Sequence, residues 1–151
     1  MAHDLFLRLG DFPGNSHGSE HPNDIAVTSF NWGVARAGAV GTHESLSIVR
    51  QTDGATPLIL ALLQSGDRVE VQLYSRLAME DAESLDYLAL TFGEARILTL
   101  QVGGGSGEKP TEHISMEYRS LRISVTPVAM DGSPLDPVHY GYEQVPAPAD
   151  A

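Results

Sequence analysis

Cysteine is absent from this chain of 151 residues, which excludes disulfide bonds, a thiolate nucleophile and a cysteine-built zinc site. Cations are scarce, since 9 Lys and Arg stand against 20 Asp and Glu and leave a formal net charge of -11. A nucleic-acid backbone is bound by clustered cations that displace counterions, so the composition argues against a nucleic-acid partner. Any tight assembly of this protein must be non-covalent.

Long apolar runs are also missing. No stretch approaches the roughly 18 apolar residues needed to span a bilayer, so membrane insertion is not expected. The opening segment MAHDLFLRLGDFPG has an acidic residue at position 4 and lacks the charged, apolar and small-residue parts of a signal peptide. We expect a protein made in the cytoplasm, whose export would use a route that reads no N-terminal signal.

The length fits a single domain with a sizeable core, and no change in composition marks an internal boundary. We predict one domain over residues 1–145 and a flexible tail, PAPADA, over residues 146–151. Alternating residues predict short strands through most of that domain, most clearly in DRVEVQLYS, where Val69, Val71 and Leu73 share a face. Further strands are predicted in DLFLRL, SLDYLALTF, ARILTLQV, EHISMEYR, LRISVTP and YGYEQV. This pattern indicates a mainly β fold, an antiparallel sandwich or barrel.

Two of the predicted strands have distinctive faces. HISMEYRS places Ile114, Met116 and Tyr118 on an apolar face and polar side chains on the other. Residues 26–34 are predicted to form one strand with a well-buried face that contains the only tryptophan. Phe30 and Trp32 are therefore predicted to anchor the core.

One helix interrupts the strands, in DGATPLILALLQSG. Thr56 is the predicted N-cap, Pro57 suits the first helical position and Gly66 ends the helix. About nine residues are too few for an isolated helix, so the segment must dock on something. It has no polar face, so either a second subunit covers it or it is a core helix of the monomer. Leu58, Leu62 and Leu63 are the candidate interface residues.

Several segments resemble catalytic or binding motifs without completing them. VGGGSGEKPT lacks the Lys directly after the last glycine and the following helix of a phosphate loop, so it reads as a strand connection. His17 and His21 share a loop without helical spacing, and MEDAESLD lacks the ligand spacing of a calcium loop. No Ser/His/Asp set can be assigned either. We predict no enzyme activity and no catalytic, cofactor-binding or metal-binding residues.

The order of the motifs is more informative than any one of them. It resembles the hemolysin-coregulated protein family, the tail-tube subunit of the bacterial type VI secretion system, over nearly the whole chain. The family's SWSWG strand end is similar to SFNWG at residues 29–33, and its SPNLM helix start to TPLIL at residues 56–60. Further matches are the opening turn at residues 9–16, DYLALTF at residues 86–92, LQVGGGSGEKPTEHISMEY at residues 100–118, and YGY at residues 140–142.

This resemblance implies an antiparallel β-barrel of two sheets with one short flanking α-helix. It further implies six copies in a closed ring, rings stacked into a tube, a contractile sheath that fires the tube, a spike protein at its tip, and small effector proteins in the lumen. It implies export to the extracellular space or a target cell. Two alternatives remain open at this stage, a phage-like tail-tube protein and a small-molecule or glycan-binding β-sandwich module.

The chain departs from the family pattern after Trp32. Familiar members carry a long glycine-rich extension there, thought to reach a neighbouring ring, whereas this chain has only RAGAVGTHESL. The resemblance makes this shortened segment the candidate ring-stacking loop, with ring formation less affected than stacking. The loop residues are Arg36, Ala37, Gly38, Ala39, Val40, Gly41, Thr42 and His43.

Overall fold

The structure is a computed structural model that describes residues 3–10, 24–38, 40–79 and 85–143. The described residues form strands and one helix, which confirms the mainly β class. The predicted tail at residues 146–151 and the predicted domain end at 145 lie outside them. The elements are β1 (His3–Leu9), β2 (Ile25–Val27), β3 (Ser29–Asn31), β4 (Val34–Ala37), β5 (Val40–His43), β6 (Leu46–Gln51), α1 (Thr56–Ser65), β7 (Val69–Leu77), β8 (Leu85–Gly103), β9 (Thr111–Glu117), β10 (Ser120–Val125) and β11 (Val138–Glu143).

The strand pairs within the described ranges are antiparallel, and most belong to one hydrogen-bonded path in the order β2-β1-β7-β8-β9-β6-β3. Strand β10 pairs with β8 and also with β11, while β4 and β5 form a separate two-stranded sheet. The first half of β8 pairs with β7 and β10, and its second half pairs with β9. The path thus has two sheets: β2, β1, β7, β10, β11 and the first half of β8 form one, and the second half of β8, β9, β6 and β3 form the other. Strand β8 belongs to both sheets and joins them.

Strand β8 corrects the expectation of two separate strands, SLDYLALTF and ARILTLQV. It runs for 19 residues through Gly93 and Glu94, where Glu94 has a left-handed φ of 49°. The Arg119 N–H donates to the Gly93 carbonyl at 2.9 Å, so pairing continues across the bend. A Cβ at position 93 would lie 2.0 Å from Ser120 Oγ. The glycine is there because β10 approaches closely, and it does not end the strand.

Residues 26–34 do not form the single strand predicted. The chain changes partner at Thr28: β2 pairs with β1, β3 pairs with β6, and the Thr28 N–H donates to the Val49 carbonyl at 2.9 Å. Because the two pieces lie in different sheets, burial does not alternate through them, and Val34 is 49% exposed. The two ends of the main path meet at Thr28 without a ladder between β2 and β3. The predicted barrel is therefore not closed by hydrogen bonds in the described residues.

The N-cap of helix α1 lies one residue before the predicted position. Ala55 is the N-cap, Thr56 is the first helical residue, and the Ala55 N–H donates to Asp53 Oδ1 at 2.8 Å. The Thr56 hydroxyl does not cap the helix because it donates to the Glu112 carboxylate at 2.9 Å. The predicted end is confirmed, since Gly66 has a φ of 71° and its N–H donates to the Leu62 carbonyl.

The core lies between the two sheets and α1. Strand β7 follows its predicted alternation, with Val71 and Leu73 fully buried. Phe30 and Trp32 are half-buried and pack against the core. The buried apolar side chains include Leu7, Leu9, Ile25, Leu46, Ile48, Ile59, Leu62, Val71, Leu73, Leu90, Phe92, Ile114 and Met116.

Candidate subunit-contact surfaces

The helix presents one leucine outward that the sequence analysis did not name. Leu62 is 5% exposed and Ile59 is fully buried, so these two residues dock α1 on the core, whereas Leu60 is 46% exposed. Leu58 and Leu63 are half-buried. Ala55, Ile59 and Leu62 follow one helical repeat and form the inward side, but the sequence does not mark that side because leucines occupy the other sides as well. Leu62 therefore has little surface left for a partner, and the outward surface of the helix is centred on Leu60.

A buried ion pair holds the start of this helix. Arg50 on β6 and Glu112 on β9 face each other across the ladder, both fully buried, and form a salt bridge. Arg50 also pairs with Asp53, and its Nε donates to the Ala26 carbonyl at 3.4 Å. With the Thr56 hydroxyl on Glu112, this cluster ties β2, β6, β9 and α1 together. We call Arg50, Asp53, Thr56 and Glu112 the helix-anchor cluster.

The helix-anchor cluster was not predicted, although the sequence contains a pattern that indicates a buried charge in β9. Strand alternation places Glu112 on the same face as Ile114 and Met116, which is the apolar face predicted for β9. A carboxylate on a buried face requires a charged or hydrogen-bonding partner. On the other face of β9, Glu117 is also buried and pairs with Arg68 and Arg96.

A second ion cluster fixes the chain where it enters β2. Asp24 is fully buried and accepts hydrogen bonds from Arg8 and Arg76, each at 2.9 Å. Arg76 also donates to Asp86 at 2.8 Å and stacks on the Phe6 ring. Asp86 belongs to the acidic segment MEDAESLD, so one carboxylate of that segment forms an ion pair within the chain. Glu80, Asp81 and Glu83 of that segment lie outside the described residues.

The predicted ring-stacking loop is a β-hairpin. Strands β4 and β5 pair Val34 with His43 and Ala37 with Val40, and Gly38 in the turn has a left-handed φ of 68°. Residue 39 lies outside the described residues. The expected loop is thus corrected to a short two-stranded sheet, and its role in ring stacking stays a prediction. Among the described strands, β4 and β5 pair only with each other, so the hairpin is not hydrogen-bonded to the strands of the main path.

Aromatic side chains fix the base of this hairpin. The Trp32 Nε1–H donates to Tyr118 Oη at 2.5 Å, and Tyr118 Oη donates to the Glu44 carbonyl at 3.0 Å. The His43 ring packs edge-on against Tyr118 with centroids 5.9 Å apart, and its Nδ1 lies 3.4 Å from Tyr118 Oη. Burial raises the pKa of Tyr118 and lowers the pKa of His43. The hairpin therefore leaves the core from a rigid base.

Folding stability is expected to respond to the charge of His43. Its pKa is lowered below 6.5 in the folded chain, so the unfolded chain binds that proton first as pH falls. The free energy of unfolding should decrease as pH falls through 6.5, and level off below the folded pKa. His43→Asn should remove this part of the slope, measured by urea unfolding from about pH 8 to about pH 5. His113→Asn on β9 is the matched control, and an unchanged slope in His43→Asn would contradict the assignment.

An apolar groove lies between this hairpin and the β10–β11 pair. Its cavity of about 310 Å³ is lined by Trp32, Val34, Gly41, His43, Leu121, Ile123 and Tyr140. Tyr140 on β11 is 65% exposed and Val34 on β4 is 49% exposed. Strand β11 pairs with β10 on one side only among the described strands, so its other edge has unpaired backbone groups. Groove and edge together form a surface suited to a protein partner.

Of the remaining candidate sites, the connection between β8 and β9 lies within the described residues. Residues 104–110 connect β8 to β9, as predicted, and no helix follows the glycines to bind a phosphate. A cavity of about 750 Å³ beside this turn is lined by Glu108, Lys109 and His113 among others. The described ranges contain no group of three His, Cys, Asp or Glu that could hold a metal, and His17 and His21 lie outside them. Among the described helices, none has the length and apolar character to cross a membrane.

Comparison with known protein families gives a match over most of this chain. A family model described as "Type VI secretion system effector, Hcp" matches residues 6–125. The chain belongs to the Hcp family. Hcp is the hemolysin-coregulated protein to which the sequence motifs point, so the resemblance is confirmed. As a member, the chain is a tube protein of the type VI secretion system.

Individual Hcp proteins match over nearly the full length. Protein hcp1 of Pseudomonas aeruginosa is 26% identical over 155 residues, which covers 94% of this chain and 95% of the relative. The crystal structure of Hcp1 from Salmonella typhimurium has a TM-score of 0.78 at 21% identity and covers 95% of this chain and 96% of its own. A type VI secretion system effector from Yersinia pestis has a TM-score of 0.74 at 21% identity, with 93% and 99% covered. These two structures share the fold of this chain.

Proposed function

We propose that this Hcp protein forms closed six-membered rings that stack into the inner tube of a type VI secretion system. The family match over residues 6–125 is the observation that carries this function. A closed ring uses one heterologous contact repeatedly and leaves no subunit face unpaired. The exposed Leu60, the apolar groove and the open edge of β11 are surfaces that such contacts would cover.

The partners follow from that role. Within the proposal, the tube is surrounded by a contractile sheath, has a spike protein at its tip and holds small effector proteins in its lumen. The protein is made in the cytoplasm and is exported with the tube. The net charge of -11 supports protein partners over nucleic acid. Family membership favours this role over a glycan-binding module, while a phage-like tail tube shares the proposed architecture.

We further propose that the protein works by assembly and has no enzymatic activity, metal or cofactor of its own. The ionisable side chains buried in the described residues are paired in structural clusters. The Arg50–Glu112 pair and the Asp24 cluster connect strands to one another and face the interior of the fold. Reproducible turnover of a substrate, abolished by a single His or Ser substitution, would overturn this part of the proposal.

Ring formation is the first expected result. Sedimentation of the purified protein at micromolar concentration should give a hexamer, and negative-stain images should show closed rings. Leu60→Asp places a charge on the outward surface of α1, where we propose that Leu58, Leu60 and Leu63 meet a neighbour, so the hexamer should dissociate while the chain stays folded. Thermal melting measures the folding of the same samples.

The control for this experiment places the same charge elsewhere. Gln51→Asp changes an exposed polar residue at the end of β6, and its hexamer should persist. A wild-type protein that stays monomeric would overturn ring formation. A folded Leu60→Asp variant that stays hexameric would overturn the helix interface alone, and the contact would then lie elsewhere.

A further inference from the structure

A hydrogen-bonded turn over Ala129–Ser133, between β10 and β11, holds a fully exposed methionine. The Ala129 N–H donates to the Ser133 carbonyl at 2.8 Å, and Asp131 Oδ1 accepts from the Ser133 backbone N–H at 3.0 Å. These bonds close the turn and leave the Met130 side chain in solvent. A single exposed apolar residue is ordinary on a protein surface. Met130 becomes informative only because the same chain also has a cavity that would accept it.

That cavity is the apolar groove between the β4–β5 hairpin and the β10–β11 pair. Its volume of about 310 Å³ accommodates a flexible methionine side chain, and its walls include Trp32, Val34 and Ile123. Arg36 lies two residues beyond Val34 on β4, so both side chains are on one face of the hairpin. The groove therefore has an apolar interior and an exposed cation at its rim.

Charge limits which surfaces of two copies can meet. The net charge of -11 makes copies repel one another unless cations lie in the contact. Six of the nine Lys and Arg residues are paired with carboxylates of their own chain. Within the described ranges, the three without such an ion pair are Arg36, Lys109 and Arg122.

The methionine turn supplies the complementary charge. Asp131 directly follows Met130, and the side-chain hydrogen bond from Ser133 lowers the pKa of the Asp131 carboxyl, which keeps it ionised. A methionine entering the groove would bring this carboxylate toward the Arg36 rim. Apolar shape and charge thus agree on one pairing, between the methionine turn and the hairpin groove.

We propose that Met130 of one copy inserts into the apolar groove of a second copy of this chain, with Asp131 beside Arg36. This contact rests on the proposed tube function and gives it a specific joint. The two surfaces differ, so the contact is heterologous: each copy offers its turn to one neighbour and its groove to another. Repetition closes a ring or continues from ring to ring.

Thiol crosslinking tests the contact directly, because the chain contains no cysteine. The double variant Val34→Cys/Met130→Cys is treated with a short bismaleimide, which does not require the strict geometry of a disulfide. We expect a ladder of covalent trimers and larger species on denaturing gels, since each copy is linked to two neighbours. A ladder ending at six places the contact within a ring, and a longer one places it between rings.

Three controls run alongside. The single variants Val34→Cys and Met130→Cys can give dimers at most, and Leu98→Cys/Met130→Cys replaces the groove position by an exposed residue on β8. A double variant that yields no more than these controls would overturn the contact. Sedimentation of the same samples separates this failure from a failure of the tube function, because rings without a ladder contradict only the contact.

Charge reversal provides an independent measurement. Arg36→Asp and Asp131→Arg should each weaken association by about two- to fivefold, as expected for an exposed ion pair. The combined variant should bind more tightly than the Asp131→Arg single variant, because it restores opposite charges at the joint. Recovery is the result that a merely structural effect would not give. Two single losses that add in the combined variant would overturn the pairing.

Discussion

Glu112→Ala is expected to lower the free energy of unfolding by about 3–5 kcal/mol. Arg50 and Glu112 are both fully buried, so removing the carboxylate leaves a guanidinium in the interior with one remaining acidic partner, Asp53. The Thr56 hydroxyl would also lose its acceptor at the start of α1. Urea unfolding of the variant and the wild type measures the difference.

Two comparisons separate buried charge from general disruption. Arg119→Ala removes a member of an exposed pair, whose nitrogen lies 3.8 Å from Glu94, and should cost no more than about 1 kcal/mol. Arg50→Met/Glu112→Leu replaces both buried charges by apolar groups and should be less destabilised than Glu112→Ala. A Glu112→Ala variant as stable as Arg119→Ala would show that the anchor cluster does not hold the fold.

Leu62→Ala is expected to cost about 2–5 kcal/mol of folding stability. Leu62 and Ile59 are the residues that dock α1 on the core, and truncation would leave a cavity between helix and sheets. Leu60→Ala makes the same deletion on the outward side of the helix, and in samples dilute enough to be monomeric it should change the unfolding free energy by no more than about 0.5 kcal/mol. Urea unfolding of both variants compares the two sides.

Protein concentration distinguishes folding from assembly in this comparison. Binding between copies adds to apparent stability by mass action, so any effect through a subunit interface depends on concentration. The Leu62→Ala loss should be the same in dilute and concentrated samples, because it arises within one chain. A loss that disappears on dilution would place Leu62 at an interface instead of in the core.

Sequence periodicity predicts this fold where one strand keeps one pair of neighbours. The first half of β7 is such a case, since Val71 and Leu73 face the core there. Periodicity fails at Thr28. There the chain stops pairing with β1 and begins to pair with β6, without any break in its apolar pattern. It fails again at Gly93, because a glycine required for the close approach of β10 has the same signature as a turn.

The contact surfaces are harder to predict from sequence. An all-apolar helix gives no phase, so the inward position of Leu62 is decided by docking alone. Half of residues 34–43, which form the β4–β5 hairpin, are alanine or glycine, and because these have low strand propensity the segment is typical of a loop. The groove needs residues from the hairpin, β10 and β11, which lie far apart in the chain.

The length of β8 has a mechanical consequence for a subunit of a tube. Its 19 residues have a contour length of roughly 60 Å, and one continuous backbone serves as a member of both sheets. A load that pulls the two sheets apart where β8 passes from one to the other acts on covalent bonds. The flanking ladders to β7, β9 and β10 resist shear over many hydrogen bonds at once. Tension at that junction is therefore carried by the chain itself.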